Sequence, residues 1–223
     1  MRLRARLDEY AWVLPETGTW IPSPAPGVER LPLDRVGRET ARATSLVRYA
    51  PASRFSAHEH SYGEEFLVLD GEFADEHGRF PALTYVRNPH GSRHTPFSDP
   101  GCTIFVRLRQ MHPDDQRRCV LTLNSDFPAT GFQRDELHAY GGEQVTWIRA
   151  AAGERVALSA AEQAQEALLV VGEALWQTDL TRRLTPHAWI RVPPGCPLRL
   201  QTTAPCLIYT RTRPKGFGDP DIV

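Results

Sequence analysis

Four residues in this sequence have the types and spacing of a transition-metal site: His58, His60, Glu64 and His94. His58 and His60 stand two residues apart, which on a β-strand places both imidazoles on one face. Ser61 and Gly63 permit a turn that returns Glu64 at the start of the next strand, and a Pro89-x-Gly91 turn leads into His94. Three imidazole nitrogens and one carboxylate oxygen suit zinc, iron(II), manganese, nickel or copper rather than calcium or magnesium. One divalent metal is therefore expected, and the ligand types alone do not choose among zinc, iron(II), manganese and nickel. A lone His-x-His is more often a pair of exposed strand histidines, but four convergent ligands are what a metal requires. Glu65 points to the opposite face by strand parity and is expected to be solvated or paired.

The elements around these residues read as short strands. Thr44 to Tyr49, Glu65 to Leu69 and Thr103 to Leu108 alternate in the β manner, separated by turns drawn from 19 prolines and 16 glycines. The pattern predicts an all-β fold, with few short helices; the helical candidates are Pro113 to Val120 and Ser159 to Ala167. The first forty residues, with Trp20, Pro22, Pro24, Pro26 and Gly27, read as an extended lead-in whose occasional strands pair with a barrel edge.

An internal repeat follows when the halves are aligned on their turns. Ala52 to Gly71 matches Gly153 to Gly172, and Asn88 to His94 matches Val192 to Leu198, each followed by a strand carrying a cysteine, Cys102 or Cys206. The expected organisation is a lead-in over 1–40, a metal-binding barrel over 41–112, a connector over 113–140, a second barrel over 141–215 and a tail over 216–223. In the second barrel Ser159, Ala161 and approximately Glu166 stand at the first three ligand positions and Leu198 at the fourth. It is expected to bind no metal and to pack against the first. Trp176, Trp189 and Tyr209 are read there as packing residues, with a metal-free small-molecule pocket as the alternative.

The order His58-x-His60, Glu64, six residues, Gly71, then Pro89-x-Gly91, two residues, His94 resembles the two signature motifs of the cupin superfamily. Ala52 and Leu83 replace the leading glycine of each motif. The resemblance implies tandem cupin jelly-roll barrels. A narrower likeness covers about residues 45 to 110. His58-x-His60-x-x-Gly63-Glu64-Glu65, the stretch Asp75-Glu76-His77-Gly78 and the segment Tyr85 to Ser92 are similar to the cupin domain of ChrR-type anti-sigma factors. In that family a zinc-bound cupin follows a zinc-binding domain that grips a sigma factor, and the cupin is needed for the response to singlet oxygen. No His-x3-Cys-x2-Cys signature precedes residue 50, so the sigma-binding machinery is not carried over.

The remaining features narrow the choice. Formal net charge is -1, with no block of like charge to follow a phosphate backbone, so direct nucleic-acid binding is not expected. No run approaches the roughly 20 apolar residues of a membrane span, and the charged start lacks a secretory core, which gives the expectation of a cytoplasmic protein. Cys102, Cys119, Cys196 and Cys206 contain no CxxC pair and are read mostly as free, buried thiols. His77 falls in a hairpin turn and is assigned no role, while Tyr62 and Tyr85 are read as packing residues with a phenol beside the metal as the alternative. Two functions compete: a ChrR-like zinc cupin that senses a small molecule or oxidant and alters its contact with a protein partner, and a mononuclear iron dioxygenase or a Lewis-acid isomerase. A homodimer is a further expectation.

Overall fold

The computed structural model describes residues 1–38, 40–178 and 181–214, and the expected tail over 216–223 lies outside them. Every regular element among the described residues is a β-strand. The two helical candidates are therefore corrected: Pro113 and Asp114 form a turn before the strand Cys119–Thr122, and Ser159 to Ala164 is irregular up to the strand Gln165–Val171. Neither segment sustains an apolar stripe of helical period, so nothing held a helix there. Among the described residues no helix is long and apolar enough to cross a membrane.

The chain divides into two compact units, the described part of one being Met1–Ala5 and Thr19–Asn124, the other Arg6–Gly18 with the segment from Ser125. These bounds differ from those read in sequence. The lead-in is structural: Val28–Gly37 is a ten-residue strand paired with Ala41–Tyr49, and Ala11–Val13 pairs with Trp189–Val192 of the second unit. Pro32 lies beside a register shift in the long strand, a bulge position of the kind that tolerates proline.

In the first unit the antiparallel order is Arg2–Leu3, Val28–Gly37, Ala41–Tyr49, Cys102–Leu108, Glu64–Asp75, Thr84–Asn88, Cys119–Thr122. The twelve-residue strand Glu64–Asp75 carries the architecture, because its first half pairs with Cys102–Leu108 and its second with Gly78–Pro81. Gly71 makes the passage possible: its φ is +72°, and a Cβ there would lie 2.1 Å from the Gly101 carbonyl oxygen. Alternation then puts Phe66 and Val68 on the same face as Glu64, in a core with Val47, Phe73, Phe80, Val86, Ile104 and Val106. The Phe66 and Phe73 rings meet at 4.6 Å between centroids.

The second unit repeats this plan. Its six-stranded order is Phe132–Tyr140, Glu143–Ala150, Cys206–Thr212, Gln165–Val171, Trp189–Val192, Ala11–Val13, facing a four-stranded sheet. Gly172 takes the place of Gly71, with φ +92° and the Pro205 carbonyl oxygen 2.1 Å from a Cβ built on it. Trp176 belongs to this unit's apolar core, and Trp189 and Tyr209 are fully buried, so all three aromatics pack.

The four cysteines are free; Cys102 and Cys206 are buried, Cys119 and Cys196 half-buried. Burial pushes the Cys102 and Cys206 thiols up to about 11, which keeps them protonated and unreactive. Ala52 and Leu83, which stand where the resemblance expects glycine, adopt φ of 63° and 65°, the left-handed conformation glycine would take without a Cβ penalty. Ala52 is also exposed, so its methyl contributes no packing. Ala52→Gly is expected to stabilise the protein by about 0.5–1 kcal/mol, the relief of left-handed strain less the entropy glycine adds to the unfolded chain. The midpoint of urea denaturation measures it.

Candidate metal centre

His58–His60 and Ser92–His94 form a two-stranded ribbon in which His58 faces His94 and His60 faces Ser92. Antiparallel pairing therefore sets the three imidazoles on one side. The turn between His60 and Glu64 is closed by the Gly63 amide donating to the His60 carbonyl at 3.2 Å, with Tyr62 and Gly63 both at positive φ. A Cβ on Gly63 would sit 2.4 Å from the Met111 sulfur, so the turn requires glycine. The second turn brings Gly91, at φ +80°, to the same His60 carbonyl, to which its amide donates a hydrogen bond at 3.0 Å. Both turns thus hang on one carbonyl, which locks Glu64 and His94 to the His-x-His strand.

Ligand atoms of His58, His60 and His94 all lie within 4.8 Å of one another. His60 Nε2 is 2.9 Å from His94 Nε2, and Glu64 Oε2 is 3.5 Å from the first and 3.4 Å from the second. With metal–ligand bonds of about 2.0–2.1 Å, adjacent ligand atoms should be roughly 2.9–3.4 Å apart, from octahedral to tetrahedral geometry. The spacing fits a first-row divalent ion. The outer atoms of the ligands are also occupied: His58 Nδ1 lies 2.8 Å from the Ser56 carbonyl, His94 Nδ1 lies 3.0 Å from Asp75 Oδ2, and Asn88 Nδ2 donates to Glu64 at 3.2 Å. Those bonds leave both Nε2 atoms free to face a metal and fix the ring orientations.

Electrostatics sharpen the assignment. Burial pushes the His60 pKa down despite the pull of Glu64, so this imidazole is held neutral, as a ligand must be. At His94 burial acts in the same sense but is outweighed by the Asp75 hydrogen bond and the Glu64 charge, and the pKa rises. Burial raises the Asp75 carboxyl, yet its bonds to His94 and to the His77 amide prevail and lower it.

The four residues expected as ligands lie together, and Glu65 faces away as parity required. It is not solvated: it accepts from Arg87 at 2.6 Å, and Arg87 donates onward to Asp115 at 2.9 Å, all three buried. His77 is exposed in its turn. Tyr62 lies against His90, with centroids 5.5 Å apart, and Tyr85 shares the face of Arg87 and Glu65. The phenol on the site side is Tyr49, whose pKa burial and Glu64 raise well above the ordinary value. Asp75 and Tyr49 were missed in the sequence. Asp75 read as a turn former before Gly78, and Tyr49 as one more apolar strand residue; neither carries a signal for a site distant in sequence.

In the second unit, pairing corrects two assignments. Gln165, opposite Thr212 and Val192, stands where Glu64 stands opposite Leu108 and Asn88, so Glu166 is the counterpart of Glu65. Leu158, not Ser159, faces Leu198 as His58 faces His94. Both positions thus move by one residue toward the N-terminus, Leu158 for Ser159 and Gln165 for Glu166. A cleft of about 440 Å³ lies here, lined by Gln165, Ser159, Thr146, Thr210 and Thr212 rather than by the three aromatics named above.

A cleft of about 550 Å³ opens directly onto the first unit's cluster, with His58, His60 and Glu64 in its wall beside Tyr49, Phe55, Val47 and Ile104. Antiparallel barrels with such a His/Glu cluster define the cupin class. Residues 9–112 match the ChrR cupin-like domain, which supports a cupin-superfamily barrel of that kind over this stretch of the chain. Among solved structures, a Nostoc punctiforme protein provisionally described as a dioxygenase is similar at TM-score 0.73 and 15% identity, over 97% of this chain and 85% of that one. The Escherichia coli pirin YhhW in complex with nickel(II) matches at TM-score 0.71 and 11% identity, over 92% and 99%. Salicylate 1,2-dioxygenase of Pseudoaminobacter salicylatoxidans, with gentisate adducts, matches at 0.59 and 11%, over 77% and 68%. No curated protein sequence matches the chain.

Proposed function

We propose that the first unit holds one divalent metal between His58, His60, Glu64 and His94 and presents it to a small molecule, as a mononuclear cupin enzyme of oxygenase type does. The observation that carries this reading is the cleft of about 550 Å³ that reaches the ligand cluster. A structural zinc site is closed, whereas a catalytic site keeps a position for substrate. A bound metal would supply Lewis acidity and gather reactants there. The chain's own residues do the rest: Asp75 holds the tautomer of His94, Asn88 orients Glu64, and the wall of Val47, Phe55 and Ile104 excludes water from the ligand.

The match of residues 9–112 to the ChrR cupin-like domain favours a second reading, a zinc cupin with a sensing role. Cobalt(II) substitution separates the two. Azide added to the cobalt-loaded protein is expected to change its visible absorption, because an open position accepts the anion. An unchanged spectrum, with zinc retained at one per chain against competing iron(II), would overturn the enzyme reading in favour of the sensor.

A further inference from the structure

The same cleft carries a charge imbalance that the metal ligands do not account for. Four arginines, Arg30, Arg35, Arg54 and Arg109, face it against two carboxylates, Glu59 and Glu64. Arg54 is paired with Asp99, and Glu59 with Arg93. Glu64 points at the imidazoles. Among the described residues, Arg30, Arg35 and Arg109 form no ion pair with any carboxylate.

Arg30, Arg35 and Arg109 are half-buried, and Arg35 donates to the Arg38 carbonyl. Arg30 is half-buried on the strand Val28–Gly37, two residues from the core residue Val28 and hence on the inward face, with its guanidinium carbon 5.9 Å from the Phe55 ring centroid. Phe55 in turn lies 6.0 Å from the ring of His58. Burial lowers the Arg30 pKa, and the neighbouring charge of Arg35 lowers it further, so an anion between them would relieve both effects. Arg109 follows the strand Cys102–Leu108, whose Leu108 pairs with Ala43 as Ala43 pairs with Arg35. The Arg109 amide donates to the Gly63 carbonyl at 3.0 Å, its guanidinium carbon lies 5.1 Å from the Tyr62 ring centroid, and its buried Nε has no hydrogen-bond partner among the described residues. A stacked arginine is ordered before a ligand arrives, and its planar fork matches a carboxylate.

We propose that the cleft binds a small organic carboxylate, its anionic group received among Arg30, Arg35 and Arg109, and its apolar body lying against Phe55, Val47 and Ile104. This rests on the reading of the metal centre as open, since it places the ligand in the space from which that centre is reached. The apolar wall separates the expected ligand from inorganic anions, and a guanidinium pair without a counter-ion separates it from neutral molecules.

The test is calorimetric titration of the metal-loaded full chain with benzoate and hexanoate, with benzamide and hexanamide as neutral counterparts and inorganic phosphate as the anion without an apolar body. The carboxylates are expected to bind and the amides and phosphate to bind at least about tenfold more weakly, with affinity falling as salt rises. Arg30→Gln and Arg109→Gln are each expected to weaken carboxylate binding by about tenfold or more, while Arg30→Lys retains part of it. Arg48→Gln, an exposed arginine outside the cleft, should change nothing. Metal content measured on every variant identifies any that misfold. Equal binding of the amides, phosphate binding as tight as benzoate, or unaltered affinity in both glutamine variants would overturn the inference. A carboxylate that fails to bind while azide still perturbs the cobalt spectrum would remove this inference alone and leave the open metal centre standing.

Discussion

His94→Ala is expected to reduce bound metal from about one equivalent per chain to a trace after dialysis, with affinity lowered by more than about 100-fold. The magnitude follows from comparison: loss of an outer partner of a ligand already costs about 10–100-fold, and His94 is itself a ligand. Its Nε2 lies within 3.4 Å of both His60 and Glu64, so no other side chain can take its place without moving the ribbon. Asp75→Asn isolates the outer contribution. It keeps the shape of the side chain but removes the charge facing His94 Nδ1, and affinity should fall by about tenfold. Plasma mass spectrometry of dialysed protein reads both variants. Metal retained at one equivalent in His94→Ala would show that the cluster is not the metal site. Binding should also weaken as pH falls from about 8 to 6, because protons compete for the imidazoles; at His94 the Asp75 bond and the Glu64 charge outweigh burial and favour the proton.

Arg87→Met should be the most destabilising substitution outside the site, by about 3–5 kcal/mol. Arg87 is fully buried and donates to Glu65 at 2.6 Å and to Asp115 at 2.9 Å, whose side chains are 4% and 2% exposed. Removing the cation leaves two carboxylates in a low-dielectric setting with their main counter-charge gone, which costs far more than the pair contributes when intact. Glu59→Gln is the control. Its pair with Arg93 is at 3.2 Å but exposed, and its loss should cost no more than about 1 kcal/mol. Chemical denaturation of the metal-free proteins compares the two; equal effects would mean that Arg87 is not holding the carboxylates.

More of the candidate site than of the fold around it was legible in the sequence. His58, His60, Glu64 and His94 were legible because strand parity and the two turns constrain each of them locally, and because Glu64 and Glu65 must face opposite ways. The repeat was legible for a similar reason: Gly71 and Gly172 mark passages where a carbonyl oxygen leaves no room for a side chain. Tertiary structure alone decided the rest. Asp75 stands 19 residues from His94 and meets it only because the long strand crosses at Gly71 to the far sheet. The lead-in strands Val28–Gly37 and Ala11–Val13 join different units, a choice made by edge pairing that no local pattern encodes. Arg30 and Arg109, 79 positions apart, face one cleft for the same reason. Local periodicity reports the face a residue occupies; which faces meet is settled by long-range pairing and burial.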